Sequence, residues 1–203
     1  MDVYFSPLAC SLASRIVLYE TGQEANLERV DTKAGRTASG EDYRKINPKG
    51  LVPALRTDDG EVLTENAAIL PYLADRKPAA GLAPSGFARY QLQQWLSFIG
   101  SELHKSVFTP LLGANFPPEA KSKAKEEAAS KLAYLNDHLT GRDWLLDGFS
   151  VADAYLFAVL NWNQAVRLDF SPYPAIQVYQ ARLMSRPAVQ KAVQEEFALY
   201  QPA

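Results

Sequence analysis

The single cysteine of the chain, Cys10, is the residue best suited to thiol chemistry. It precedes apolar residues with helical spacing at Leu12, Ile16 and Tyr19, so the first helix is predicted to begin close to the thiol. Free amide groups and the helix dipole at such a position favour a thiolate, and we therefore predict a lowered pKa for Cys10. A role as a small buried hydrophobe is the alternative, and Ser11 is a second candidate nucleophile that would need a base.

A second group of candidates lies on a long helix predicted after residue 86. Small and polar side chains recur there at helical spacing beside an apolar face, namely Gln93, Ser97, Gly100, Ser101 and His104. This pattern is typical of a cleft wall. His104 is either a packed core histidine or a catalytic one with a partner, and Cys10 is the partner that the sequence offers.

Three apolar residues, Phe108, Pro110 and Trp162, could form walls for a hydrophobic substrate. Aromatic side chains at helical spacing are more often part of a core. The sequence leaves both roles open.

The segments around Pro53 and Glu65 carry groups suited to a peptide ligand. A cis bond before Pro53 would turn the backbone of Val52 outward, although a trans proline at a strand edge is the more frequent arrangement. Glu65 and Asn66 open a predicted helix, where amide groups hold a carboxylate and the Glu side chain holds an ammonium group. The pair therefore suits an amino-acid zwitterion; alternatively, Glu65 only complements the helix dipole.

Composition excludes several classes of protein. The 203 residues are 47% apolar, which is enough to form a full hydrophobic core. The chain carries 21 Lys and Arg against 23 Asp and Glu, so no basic surface for nucleic acid is expected. The absence of an apolar run of roughly 20 residues predicts a cytoplasmic protein with no membrane partner. One cysteine and two histidines make a metal site improbable.

Secondary-structure signals divide the chain into two domains. Residues 1–77 read as an α/β domain, with strands at 2–5, 27–30, 54–56 and 62–63 and helices near 12–19, 41–46 and 64–76. Residues 78–86 are rich in Pro and Gly and are predicted to be the linker. Residues 87–203 read as all helical, with a helix over 120–138 and a Ser150-Val-Ala-Asp153 capping box before a buried helix. Pro71 is expected to kink the helix in which it lies.

Taken in order, five motifs resemble those of bacterial beta-class glutathione transferases: Ala9-Cys10-Ser11-Leu12-Ala13-Ser14, Asn47-Pro48-Lys49-Gly50 with Val52-Pro53-Ala54-Leu55, Glu65, Ser101-Glu102-Leu103-His104 and Ser150-Val-Ala-Asp153. The resemblance implies the glutathione transferase fold, with a thioredoxin-like N-terminal domain and an all-α C-terminal domain. It also implies glutathione as co-substrate and a homodimer in which Ser97 approaches the neighbouring subunit's glutathione.

The same resemblance implies roles for individual residues. Cys10 contacts or bonds the glutathione sulfur and His104 lies near it, with Ser101 also in the site. Val52, before a cis Pro53, pairs with the tripeptide backbone. Glu65 and Asn66 hold the γ-glutamyl end, and Lys33 or Arg36 replaces a lysine that meets the glycine carboxylate.

The activity expected from these residues is attack of the glutathione thiolate on a hydrophobic electrophile, with Cys10 and His104 hydrogen-bonded to sulfur. Thiol–disulfide exchange through a mixed disulfide at Cys10 is the alternative activity. A non-catalytic ligand-binding member of the fold is a third possibility.

Overall fold

The computed structural model describes residues 1–200, and its first part is a mixed five-stranded sheet. The strands are β1 (Asp2–Phe5), β2 (Asn26–Asp31), β3 (Arg36–Thr37), β4 (Ala54–Arg56) and β5 (Val62–Thr64). They lie in the order β3-β2-β1-β4-β5, with β1 parallel to β2 and every other neighbouring pair antiparallel. The parallel pair needs a crossover, which helix α1 (Leu12–Thr21) provides.

Helices make up most of the remaining chain. They are α2 (Asn66–Asp75), α3 (Phe87–Phe98), a π-helical segment (Ile99–Phe108), α4 (Thr109–Leu112), α5 (Pro118–Leu139), α6 (Val151–Asn161), α7 (Asn163–Val166), α8 (Pro174–Met184) and α9 (Pro187–Leu199). Short 3₁₀ turns lie at Tyr43–Lys45 and Pro78–Ala80. Within residues 1–200, no helix is both long and apolar enough to cross a bilayer.

Most predicted elements are confirmed, and the differences are local. The helix predicted over 41–46 is only the 3₁₀ turn Tyr43–Lys45, and the two-residue strand β3 was not predicted because it is too short to show alternation. Helix α2 continues through Pro71, which is buried inside it, as the predicted helix over 64–76 requires; the kink expected at Pro71 stays a prediction.

One apolar core extends across both parts of the chain. Helix α1 packs against α2, α6 and α9, and the first ten residues of α6 are all buried. Residues 78–86 connect α2 to α3 around a 3₁₀ turn. Because the core is continuous, the division of the chain at 78–86 stays a prediction.

The start of α6 has the capping box that its sequence predicts. The Ser150 hydroxyl accepts from the amide of Ala152 at 3.3 Å, and the Asp153 carboxylate accepts from the amide of Ser150 at 2.8 Å. These bonds satisfy amide groups that the first turn of a helix leaves without partners. The central helix of the second part is therefore fixed at its buried end.

Candidate active site

A cavity of about 480 Å³ lies between the sheet and the π-helical segment. This volume is in the range of small-molecule binding sites. Nine of the residues predicted for the site line it: Cys10, Val52, Pro53, Glu65, Asn66, Gly100, Ser101, His104 and Trp162. The fold therefore brings together residues that are up to 152 positions apart in the chain, between Cys10 and Trp162.

The thiol of Cys10 is buried, and its side chain donates to the carbonyl of Val52 at 3.2 Å. Burial raises the pKa of Cys10 to about 12, so the thiol is protonated at neutral pH. The prediction of a lowered pKa is wrong. The amides of Leu12, Ala13 and Ser14 donate to the carbonyls three residues earlier and are not free for a thiolate. Lys105 and the backbone of Cys10 lower the pKa, but burial outweighs them.

The loop that carries Cys10 is held from two directions. Within the loop, Ser11 is fully buried, and its hydroxyl bonds both the amide and the carbonyl of Ser6 at 3.2 Å. From the helical part, Glu196 accepts from the Leu8 amide at 2.7 Å, and the indole of Trp162 donates to the Leu8 carbonyl at 2.8 Å. The hydroxyl of Ser11 thus has a structural role in this loop.

The segment before β4 presents the backbone of Val52 to the cavity. The bond between Val52 and Pro53 is cis, as the resemblance implies. The Leu51 carbonyl next to it accepts from the Tyr43 hydroxyl at 2.8 Å and from the Asn47 side chain at 2.6 Å. These two bonds fix the segment while leaving Val52 beside Cys10.

Glu65 and Asn66 stand at the start of α2, as predicted, but have different surroundings. Glu65 is exposed, has a positive φ of 72°, and forms an ion pair with Lys49. Asn66 is buried, and its side-chain amide donates to the Cys10 carbonyl at 3.2 Å. The side-chain oxygen of Asn66 has no hydrogen-bond partner in the described part of the chain. A bound ligand is the natural source of a donor for it.

His104 points its Nδ1 atom at the hydroxyl of Tyr155, 2.9 Å away. Its ring also packs edge-on against Trp162, with ring centroids 4.8 Å apart. Burial, with a further effect of the Lys105 cation, lowers the pKa of His104 to about 4, so the ring is neutral at pH 7. The hydrogen-bond partner of His104 is therefore Tyr155. The sequence had suggested Cys10 for this role.

The helix that carries His104 is π-helical over Ile99–Phe108, and the amide and hydroxyl of Thr109 both bond the His104 carbonyl. The wider turn changes which residues share a face, and the prediction assumed α-helical spacing throughout. Gly100, Ser101 and His104 line the cavity, whereas Ser97 is exposed and does not. The Ser101 hydroxyl bonds the Ser97 carbonyl at 2.9 Å.

Other predicted site residues lie outside the cavity lining. Lys33 is exposed, and the Arg36 side chain bonds the carbonyl of Gly40 at 3.0 Å. Phe108 is fully buried and supports Trp162 from behind, with ring centroids 5.9 Å apart, so it offers no surface to a substrate in this structure. Pro110 lies in α4 and does not line the cavity.

Sequence reasoning gave no site role to seven polar residues of the lining, which are Ser6, Thr32, Asn47, Lys49, Thr64, Lys105 and Tyr155. Tyr155 gave a usable signal, because it is the one residue with a hydroxyl in the apolar run from Ala154 to Leu160. A buried tyrosine hydroxyl usually finds a hydrogen-bond partner, and that expectation leads to a polar group nearby.

A mixed sheet with a cis-proline segment beside a buried cysteine, covered by an all-helical part, defines a thioredoxin-like protein with a helical second domain. Family models agree: the glutathione S-transferase N-terminal domain matches residues 9–76, and the glutathione S-transferase C-terminal domain matches residues 100–187.

Individual relatives extend the match over nearly the whole chain. Glutathione S-transferase GstA of Escherichia coli O157:H7 is 43% identical, with 97% of this chain and 98% of the relative covered. A sphingomonad glutathione S-transferase solved in complex with glutathione is 46% identical, with a TM-score of 0.93. The match covers 97% of this chain and 99% of that one. A beta-class glutathione S-transferase of Sphingomonas chungbukensis is 43% identical, with a TM-score of 0.93. This match covers 97% of this chain and 98% of that one. This chain belongs to the glutathione S-transferase family, in its bacterial beta class.

Proposed function

We propose that this glutathione S-transferase binds glutathione in the 480 Å³ cavity and directs its thiolate at a hydrophobic electrophile. The observation that carries the proposal is the state of Cys10. Its buried thiol is protonated and donates a hydrogen bond to the Val52 carbonyl, so the same S–H group can donate to the sulfur of bound glutathione. A proton donor beside sulfur stabilises a bound thiolate without forming a covalent bond to it.

Binding of the tripeptide uses the start of α2 and the Val52 segment. The glutathione ammonium group pairs with Glu65, and the adjacent carboxylate meets the first amides of α2 and the side chain of Asn66. Lys49, now paired with Glu65, exchanges this partner for ligand or solvent. The cysteinyl backbone of glutathione pairs with Val52, whose carbonyl is released when the Cys10 thiol turns to the ligand sulfur.

At the sulfur, two donors replace the solvent that would otherwise stabilise the charge. Cys10 donates through its thiol, and His104, which faces the same cavity, donates from its ring. The glutathione thiol loses its proton to water, and the thiolate then attacks the electrophilic carbon. The carbon–sulfur bond forms as the leaving group departs with its electron pair.

The remaining assignments involve residues in the cavity lining and residues next to it in the structure or the chain. Trp162 is the apolar wall for the electrophile, and Phe108 supports it from behind. Pro110, two residues after Phe108 in α4, is assigned to the same apolar region. Lys33 follows Thr32, which lines the cavity, and we assign Lys33 to the glycine carboxylate. A homodimer that places Ser97 near the neighbouring subunit's glutathione is supported by the aromatic side chains of Phe87 and Tyr90, which are 77% and 72% exposed on α3.

The proposal is tested with Cys10→Ala, assayed in parallel for conjugation of glutathione to an aryl chloride and for reduction of a glutathione mixed disulfide. Conjugation uses the thiol of glutathione itself, so it is expected to persist within about tenfold, equivalent to about 1.4 kcal/mol of transition-state stabilisation. Exchange needs a protein thiol as carrier, so any exchange shown by the natural chain is expected to fall to background.

Ser130→Ala is the matched control, because it removes a small polar group from an exposed position on α5. It should leave both activities unchanged. Loss of conjugation in Cys10→Ala with unchanged glutathione affinity would contradict the hydrogen-bonding role and favour a covalent one.

A further inference from the structure

The hydroxyl of Tyr155 is a buried group to which no role has yet been given. Tyr155 lies on α6, is 5% exposed, and lines the cavity that also holds Cys10 and His104. Its hydroxyl is 2.9 Å from Nδ1 of His104, a normal distance for a hydrogen bond.

The direction of this hydrogen bond follows from counting donors and acceptors. Burial keeps the phenol of Tyr155 protonated by raising its pKa, and the Asn66 side chain opposes this rise as a donor beside the phenolic oxygen. The phenolic proton needs an acceptor, and within residues 1–200 the only acceptor within hydrogen-bond distance of the hydroxyl is Nδ1 of His104. If Nδ1 carried a proton, the phenolic proton would be buried without an acceptor.

A neutral imidazole has one proton and two nitrogens. When Nδ1 accepts from Tyr155, the ring proton is on Nε2. Nε2 of His104 makes no hydrogen bond to the described part of the chain, so its N–H is available to a ligand in the cavity. With the other tautomer, Nε2 would be an acceptor and would repel a thiolate.

We propose that Tyr155 is a positioning residue that holds the neutral His104 with its proton on Nε2, so that His104 meets the glutathione sulfur as a hydrogen-bond donor. This inference rests on the proposed function for its consequence in catalysis. It makes His104 a donor that stabilises the thiolate rather than the base that takes the thiol proton.

The surroundings of His104 support this role. The charged and titratable groups around it are Lys105 on the same segment, Glu65 before α2, and the protonated Cys10 and Tyr155. Gly100 lies one helical turn earlier and packs beside the Tyr155 hydroxyl, where a β-carbon would come to 3.7 Å, an ordinary van der Waals distance.

The first test is the tautomer of His104 in the natural chain, measured by ¹⁵N NMR of the histidine side chains at pH 7 without ligand. The chain has two histidines, so His138→Gln assigns the signals. His138 is an internal reference, since its Nε2 must donate to the Leu145 carbonyl 2.9 Å away. We expect both rings to have the proton on Nε2, and a proton on Nδ1 of His104 would overturn the proposal.

The second test is Tyr155→Phe, which removes the hydroxyl and keeps the ring. Without the Tyr155 hydroxyl, the Nε2–H group of His104 is no longer held toward the sulfur, and we expect the pKa of the bound glutathione thiol to rise. A rise of about one unit lowers kcat/KM for an aryl chloride about tenfold at pH 6.5. The loss should shrink at alkaline pH, where glutathione ionises without help, while the KM for glutathione stays unchanged.

Tyr173→Phe is the matched control, because it removes an exposed hydroxyl that bonds the Ala129 carbonyl away from the cavity. It should leave the pH profile unchanged. An equal loss at every pH in Tyr155→Phe would show a merely structural role and overturn the proposal. Absence of conjugation in the natural chain would instead reject the proposed function, and the NMR measurement would still decide the tautomer.

Discussion

Two buried polar clusters of this protein differ in how completely their hydrogen bonds are made. At the start of α6, Asp153 accepts four hydrogen bonds: one each from the Leu145 amide, the Ser150 amide, the Ser150 hydroxyl and the Tyr179 hydroxyl, at 2.7 to 3.0 Å. Every one of its lone-pair sites has a partner from the chain itself. This cluster needs nothing from outside the protein.

The second cluster, which we call the sulfur pocket, consists of Cys10, Asn66, His104 and Tyr155. It is also largely buried, yet the Asn66 side-chain oxygen has no partner in the described part of the chain. An unpaired buried polar atom costs about 1 to 3 kcal/mol, so it usually marks a place where a ligand completes the network. The difference teaches that buried polarity alone does not identify a site. Unfinished hydrogen bonding points to one where it faces a cavity, as at Asn66; the Ser14 hydroxyl on α1 also lacks a partner in the described part of the chain, but Ser14 does not line this cavity.

The largest effect is expected from Asp153→Ala. This change leaves the Leu145 and Ser150 amides and the Tyr179 hydroxyl without their acceptor in the core, and we expect a loss of about 3 to 5 kcal/mol in the free energy of unfolding. Urea denaturation measures it. The Asp143→Ala control breaks an exposed ion pair with Arg182 and should cost less than about 1 kcal/mol. Equal losses in the two variants would contradict the structural role given to the α6 cluster.

Alkylation of Cys10 by iodoacetamide examines the sulfur pocket. With a pKa of about 12, the thiolate fraction rises about tenfold for each pH unit from 6 to 9 without reaching a plateau. At pH 6.5 the rate should be at least about a hundredfold below that of the urea-unfolded chain, whose thiol has its ordinary pKa of about 8.5. A plateau between pH 6 and 8 would mean that the folded protein holds a thiolate.

A smaller effect is expected from Ser150→Ala, which removes the cap of α6 but keeps Asp153. The loss in the free energy of unfolding should be about 0.5 to 2 kcal/mol, with no change in the glutathione affinity of the folded protein. Ser130→Ala on exposed α5 is the control and should change stability by less than about 0.5 kcal/mol. Weaker glutathione binding without lower stability would mean that the α6 cluster takes part in ligand binding, and would contradict the separation of the two clusters into a structural one and a binding one.

The sequence predicted the fold well because local signals agree with each other. Alternation and turn residues located β1, β4 and β5, and the Ser150-Val-Ala-Asp153 pattern located the start of α6 to the residue. Motif order was enough to indicate the family and the cis bond before Pro53. The element boundaries depend on neighbours within a few positions along the chain, whereas the family and the cis bond come from the order of motifs over most of its length.

The chemistry of the site was predicted less well, because it depends on contacts between distant segments. The protonation of Cys10 follows from burial against Val52, and the partner of His104 comes from α6, 51 residues further on. The π-helical turn that carries His104 has no signature that α-helical spacing could reveal. The sequence by itself determined which elements form and which residues are candidates. Only the tertiary structure decided the surroundings of each candidate, since pKa values depend on solvent exclusion and on the nearest atoms in space.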